Sequence, residues 1–309
     1  MISTRLDAQR PAARALRLNI RAGESTIAAD HYEGVGIPVL LLHGIPGDRA
    51  TWTEVASRLA RQHRTVIAPD LVGFGATTDS LVPLHAREQA EHLKAMLTEM
   101  GTGKVHIVGF DFGGPTAVHL AAMLGADAAS IVLANTNVFP DTPVPPPLRI
   151  ASVPYLGALA FRVFFSRPGL AALWFAAVRE RRALPFARFR LTLRSDKTVR
   201  TTRLIFLESL RNLKELYAPV QRLVESSRIP ALVIWSDRDP FFPIEVGERT
   251  ARAARGRLCL LSCGHFTPQE RPREFTTILM DHCETVENSP LDTYTGSTNR
   301  PRDAPSSMI

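Results

Sequence analysis

Three residues able to act as nucleophile, acid and base occur in the order Asp111, Asp239, His265. Asp111 sits in Gly109-Phe110-Asp111-Phe112-Gly113-Gly114, a small-x-nucleophile-x-small pattern that follows the apolar run Val105 to Val108 and precedes the helical pattern Gly114 to Leu124. That is the context of a sharp strand-to-helix turn which presents a nucleophile, here an aspartate where a serine is usual. Glycine suits positions 109 and 113 because side chains there would collide across so tight a turn. A carboxylate nucleophile needs a base to finish its chemistry, and an acid to orient that base. Asp239 follows the apolar strand pattern Ala231 to Trp235, and His265 lies in a Gly-His loop after Arg257 to Leu261. Asp237 competes with Asp239 for the acid role. Asp239 is favoured because it lies three residues past Ser236 in a turn closed by Pro240. Asn135 ends the preceding strand pattern and cannot serve as an acid.

The elements that must position these groups alternate. Leu16 to Arg21 and Ser25 to His31 read as an antiparallel pair joined at Ala22-Gly23-Glu24. Pro38 to Leu42 is a continuous apolar run of the kind covered on both faces, and Thr51 to Arg61 follows with helical spacing. Further strands are expected at Thr65 to Ala68, Val105 to Val108 and Ile131 to Leu133, with helices at Arg87 to Met100 and Gly114 to Leu124 between them. The alternation resumes with the strand Ala231 to Trp235, the helix Ile244 to Arg255, the strand Arg257 to Leu261 and the helix Pro272 to Glu284. An α/β fold follows, with a mostly parallel, doubly wound sheet whose loops gather the reacting groups at the carboxyl edge. The loop His43-Gly44-Ile45-Pro46-Gly47 leaves the first long strand, and the Ile45 and Phe112 backbone N–H groups can converge as an oxyanion site.

Residues 14–137 and 229–287 therefore read as the core domain and 138–228 as an inserted helical cap, between a flexible start, 1–13, and a disordered polar tail, 288–309. From Phe139 to Arg228 there are sixteen Lys and Arg against six Asp and Glu, so the insertion is strongly basic and the remainder slightly acidic. Its apolar faces, including Trp174, can roof the site against water. Its basic outside makes peripheral contact with anionic lipid a candidate property. The 309 residues carry a net charge of +7, yet no aromatic-interleaved basic motif points to nucleic acid. No opening segment resembles a secretory signal, and no uncharged apolar run reaches the roughly 18 residues that span a bilayer. Cys259, Cys263 and Cys283 form no metal or disulfide framework, so a cytoplasmic protein with reduced thiols and no cofactor is expected.

Five motifs in order, His43-Gly44-x-Pro46, Ala68-Pro69-Asp70-Leu71-x-Gly73-Phe74-Gly75, Gly109-x-Asp111-x-Gly113-Gly114, Asp239-Pro240 and Gly264-His265-Phe266, resemble the α/β-hydrolase superfamily. Within it they resemble the branch with an aspartate nucleophile, which holds epoxide hydrolases and haloalkane and fluoroacetate dehalogenases. The resemblance implies that Asp111 attacks an alkyl carbon to give an ester. Water activated by His265 and Asp239 would then hydrolyse that ester while Ile45 and Phe112 hold the oxyanion. The partners implied are a small apolar organic substrate and water.

The leaving group is less plainly written. Haloalkane dehalogenases usually place Trp after the nucleophile and often Asn or Glu in the His-Gly-x-Pro loop; here those positions are Phe112 and Ile45, whose side chains donate no hydrogen bond. Fluoroacetate dehalogenases clamp carboxylate with arginines near the elbow, where this chain has Phe112 and Pro115. Epoxide hydrolases protonate the departing oxygen with cap tyrosines, for which Tyr155 and Tyr217 are the candidates. In the familiar register one such tyrosine falls on Phe161. An epoxide hydrolase-like activity is favoured, with dehalogenation of a haloalkane or haloacid as the alternative and a non-hydrolytic ligand-binding protein as the alternative of another class.

Overall fold

The computed structural model describes residues 14–78, 84–143, 156–191 and 195–289. Among the described residues eight strands form one sheet: β1 (Leu16–Ala22), β2 (Ser25–Tyr32), β3 (Val35–Leu42), β4 (Arg64–Pro69), β5 (Val105–Phe110), β6 (Ala128–Ala134), β7 (Ala231–Ser236) and β8 (Arg257–Leu261). Their spatial order is β1-β2-β4-β3-β5-β6-β7-β8. Only β2 runs against its neighbours; from β4 to β8 every adjacent pair is parallel. The continuous apolar runs are explained by burial on both faces. In β3, Leu40 and Leu42 join the core on one side of the sheet, whereas Val39 and Leu41 join the core on the other. Each such fully buried side chain contributes about 2 kcal/mol relative to exposure.

Helices cover both faces. Helices α1 (Thr53–Arg61), α2 (Ala86–Glu99) and α3 (Gly113–Leu124) connect the early strands, while α9 (Ile244–Ala254), a short α10 (Thr267–Glu270) and α11 (Pro272–Asn288) close the chain. The final helix thus runs four residues beyond Glu284. The most apolar of them, α3, is buried from Gly113 to Ala121 because it packs beneath the centre of the sheet.

Between β6 and β7 lie α4 (Leu156–Phe164), α5 (Arg167–Ala177), α6 (Phe186–Leu191), α7 (Asp196–Arg211) and α8 (Leu213–Ser226). Leu170, Val178, Leu184 and Phe189 form a small core of their own there. Val220 and Val224 of α8 instead join the main core, so this helix ties the insertion to the sheet domain. The expected flexible start, 1–13, lies outside the described residues, as does Tyr155; of the tail expected at 288–309, Asn288 instead ends the last helix, Ser289 follows it, and the remainder lies outside the described residues.

Candidate active site

Strand β5 ends at Phe110, and Asp111 takes φ of +51° before α3 begins. A left-handed backbone on a non-glycine residue costs about 1–3 kcal/mol and persists only where its surroundings fix it. Here the Asp111 N–H donates to the Ala134 carbonyl at 3.1 Å, and its own carbonyl accepts from Gly114 N–H at 2.9 Å and Thr136 Oγ1 at 2.5 Å. The flanking glycines are steric necessities: a Cβ on Gly109 would lie 2.3 Å from the Gly113 carbonyl oxygen, and one on Gly113 would lie 2.4 Å from that of Leu42. The turn therefore thrusts the Asp111 carboxylate beyond the carboxyl edge of the sheet.

Opposite it runs the loop after β3. Ile45 N–H donates to Asp111 Oδ1 at 2.8 Å, and the Phe112 N–H also acts on the carboxylate. His43 braces that loop, since Nε2 accepts from Leu71 N–H at 3.0 Å while Nδ1–H donates to the Gly44 carbonyl at 2.8 Å. Both nitrogens are thereby used by a neutral ring. The Ile45–Pro46 peptide is cis. Asp70 pairs with Arg49 and accepts Ala76 N–H, which makes its loop architectural.

His265 completes the group. Its Nδ1 lies 2.8 Å from Asp239 Oδ2, and its Nε2 lies 3.6 Å from Asp111 Oδ2. A carboxylate can only accept from this ring, so the proton sits on Nδ1 in the neutral form and Nε2 is left as the base. Asp239 Oδ1 accepts Phe241 and Phe242 N–H at 2.8 and 3.1 Å. Asp237, by contrast, is exposed and accepts from Ser262 Oγ, away from His265.

Burial opposes ionisation at each of the three groups, and the neighbours decide the outcome. For Asp239 burial raises the pKa, but the charge and hydrogen bond of His265, with Asn135 and Phe241, hold it below the usual carboxylate range. For His265 burial lowers the pKa, yet the charge and hydrogen bond of Asp239 and the charge of Asp111 carry it above its ordinary value. Asp111 is pushed up by burial, partly offset by His265 and the Ile45 and Phe112 N–H groups. His265 thus holds its proton more tightly than a free imidazole while both carboxylates beside it are charged.

Two supporting residues were not legible in the sequence. Asn135, with φ of +38°, donates from Nδ2 to Asp239 Oδ2 at 2.7 Å and accepts from Thr267 Oγ1 at 3.0 Å. Its place at the end of β6 was the available signal; what it would hold there was not. Glu270 Oε2 accepts the Arg179, Glu180 and Gly264 N–H groups at 2.7, 2.8 and 3.1 Å, and Oε1 accepts that of Phe266 at 3.2 Å. Together with His265 N–H donating to the Ala177 carbonyl at 2.8 Å, it binds the histidine loop to the insertion.

A cavity of about 220 Å³ separates the sheet edge from the helical insertion. Asp111, Phe112, Ile45 and His265 form its floor, and Phe161, Phe165, Phe206 and Leu213 are among the apolar residues of its roof. Tyr217, on α8, lines it, and its hydroxyl pKa is raised by burial and by the charge of Asp111. Phe161, on which a cap tyrosine falls in the familiar register, also faces the cavity. Trp174, expected in the apolar roof and as a candidate substrate contact by its type, does not line it. Its indole N–H is committed to the Leu184 carbonyl at 2.8 Å, and its ring packs on Phe186. Leu173, its neighbour, reaches the cavity instead.

The model of the alpha/beta hydrolase fold matches residues 37–272, and the chain belongs to the α/β-hydrolase family. Among curated relatives, a 2-hydroxy-6-oxo-2,4-heptadienoate hydrolase of Pseudomonas putida is 26% identical over 275 residues, covering 81% of this chain and 90% of that protein. A soluble epoxide hydrolase of Corynebacterium sp. strain C12 is 38% identical over a shorter stretch of 93 residues, 29% of this chain and 32% of that one. Among solved structures, the epoxide hydrolase CorEH superposes with a TM-score of 0.70 at 19% identity, covering 88% of this chain and 99% of its own. At that identity the likeness speaks for the fold.

Proposed function

We propose that the protein hydrolyses a small apolar epoxide through a covalent ester on Asp111. The observation that carries the reading is the carboxylate itself, held at a strained turn with Ile45 N–H on Oδ1 and His265 Nε2 3.6 Å from Oδ2. An Asp111 oxygen attacks a ring carbon, the C–O bond of the epoxide breaks, and the departing oxygen takes a proton from Tyr217. Water then adds to Cγ of the ester, passing a proton to His265; the Cγ–O bond breaks, the product oxygen takes that proton from His265, and the diol leaves with the oxygen Asp111 had contributed, while the second proton of the water restores Tyr217 and leaves Asp111 a carboxylate.

Electrostatics times these steps. Alkylation removes the charge of Asp111, which had raised both the Tyr217 hydroxyl and His265. Tyr217 therefore becomes a better acid as the alkoxide forms, and His265, its pKa lowered, is more fully neutral when water must be activated. The apolar cavity supports an apolar substrate. Among its described lining residues there is neither Trp nor Arg to receive a halide or clamp a haloacid, which disfavours dehalogenation.

The test is intact-protein mass spectrometry of His265→Gln incubated with styrene oxide and, separately, 1-bromobutane. The epoxide reading expects a stable styrene oxide adduct on Asp111. An adduct with bromobutane alone would transfer the activity to dehalogenation, and no adduct with either would favour ligand binding without turnover.

Two further readings rest on the chain's surface and thiols. Leu159, Val163 and Phe175 are each about 60% exposed, and Arg162, Arg167 and Arg182 are exposed in the same part of the insertion, which supports peripheral contact with anionic lipid. Cys259, Cys263 and Cys283 are free, and burial raises the pKa of the last two, consistent with inert thiols in a cytoplasmic protein. Among the described residues no helix is long and apolar enough to cross a membrane.

A further inference from the structure

A second, much smaller cavity of about 20 Å³ adjoins Asp111. The large cavity is lined by Phe112, the residue after the nucleophile, whereas the small one is lined by Phe110, the residue before it. Asp111 and His265 border both. The small cavity is thus a separate approach to the same carboxylate, with Phe110, Phe189 and Phe266 among its walls. Its volume suits a single water, which requires about 10–15 Å³ and two to four polar partners.

Those partners are present. Besides Asp111 and His265, the polar side chains lining it are Thr51 and Gln269, which are only 5% and 7% exposed. Neither the Gln269 amide nor the Thr51 hydroxyl hydrogen-bonds a described residue. Neither is among the described side chains whose polar atoms are fully enclosed and unpartnered, so these atoms open onto accessible space; with no water there each would go unpaired, at about 1–3 kcal/mol. A water between them, with His265 Nε2 as a further acceptor, relieves that cost.

We propose that this cavity is the site of the hydrolytic water, and that Gln269 and Thr51 hold it for deprotonation by His265. The inference rests on the covalent role of Asp111 proposed above and adds the residues that serve its second step. Substrate enters and the alkyl ester forms in the large cavity, while water reaches the ester carbonyl carbon from the small one. Its oxygen bonds to Cγ and its proton passes to Nε2. The ester C–O bond then breaks, and the product oxygen recovers the proton. The two cavities meet along Ile45, Pro46, Asp111, His265 and Phe266, while Thr51 and Gln269 line only the small one, so an alkyl group held in the large cavity leaves the water beside those two side chains in place.

The experiment is single-turnover quench-flow with styrene oxide, reading adduct formation and decay on Asp111 by intact mass in the wild type, Gln269→Met, Gln269→Glu and Thr51→Val. Gln269→Met keeps the volume and breaks no protein hydrogen bond, so its melting temperature should match the wild type. Expected is adduct formation within about twofold of the wild type, decay slowed at least tenfold in Gln269→Met, and most of the decay rate recovered in Gln269→Glu. Slower decay in Thr51→Val adds support. Decay unchanged in Gln269→Met, or formation and decay falling together, overturns the water site while leaving the Asp111 ester standing. Absence of any adduct even in His265→Gln overturns both.

Discussion

Replacing Asp239 by Asn tests the histidine's tautomer, and the structure sets the outcome in unusual detail. Asp239 Oδ2 accepts from His265 Nδ1 at 2.8 Å and Asn135 Nδ2 at 2.7 Å, while Oδ1 accepts two backbone N–H groups. An asparagine must place its NH₂ at one of these two positions, and either places donor against donor. If it faces Phe241 and Phe242, two buried N–H groups lose their acceptor, at about 1–3 kcal/mol each. If it faces His265 instead, the ring can accept only by moving its proton to Nε2, and Nε2 then no longer abstracts a proton from water. General-base assistance accounts for about 10²–10⁴ in rate. The prediction is therefore a 10²- to 10⁴-fold loss in ester hydrolysis, equivalent to roughly 3–5 kcal/mol, with ring opening much less affected because Asp111 remains the nucleophile. Quench-flow with intact mass detection should show the adduct on Asp111 accumulating. Hydrolysis within threefold of the wild type, or ring opening lost as steeply as hydrolysis, would refute the assignment of Asp239 as the acid that fixes His265.

Four further outcomes are expected. Tyr217→Phe should slow ring opening of styrene oxide by about 10²-fold or more while leaving hydrolysis of a preformed ester within a few-fold, read from the two phases of the same experiment. Ester hydrolysis should rise with pH along a single ionisation, since His265 must be neutral; its raised pKa in the free enzyme should fall in the alkylated enzyme, and equal values in the two states would contradict the electrostatic timing. His282, buried with Nε2 unpaired, has its pKa lowered from 6.5 to about 4, so the unfolded state binds the proton first as pH falls. Stability is then lost between those values, by about 2 kcal/mol at pH 5, and His282→Leu should remove most of that pH dependence in urea titrations at pH 7 and 5. Finally, the protein should sediment with phosphatidylserine vesicles and not with phosphatidylcholine vesicles, and Phe175→Asp with Val163→Asp should abolish this.

The sheet and its order of elements were legible because their signals are local. Apolar runs such as Val39 to Leu42 are buried on both faces, and Asp111, Asp239 and His265 stand where strands end, so chain order carried the geometry. The hydrogen bonds that hold the site are not local. Asn135 reaches Asp239 across 104 residues, and Glu270 gathers backbone N–H groups some 90 residues away in the insertion. Nothing in their neighbourhoods distinguishes them from residues that only pack. The insertion was hardest to read: its aromatic content announced an apolar roof, but Trp174 and Leu173 are adjacent on one helix, and only the approach of α5 to the core decides that Leu173 faces the cavity. Tyr217 was identifiable by type, and the folding of α8 onto α3 is what carries it over Asp111.

The central claim is that the reaction passes through Asp111 itself, and isotopic oxygen tests it most directly. One turnover of styrene oxide by an excess of wild-type enzyme in ¹⁸O-water should leave a single ¹⁸O in the peptide containing Asp111 and an unlabelled diol, because the water oxygen stays with the carboxylate and an Asp111 oxygen leaves with the product. Label in the diol after that first turnover, with none in the Asp111 peptide, would mean that water attacks the substrate directly and would contradict the account.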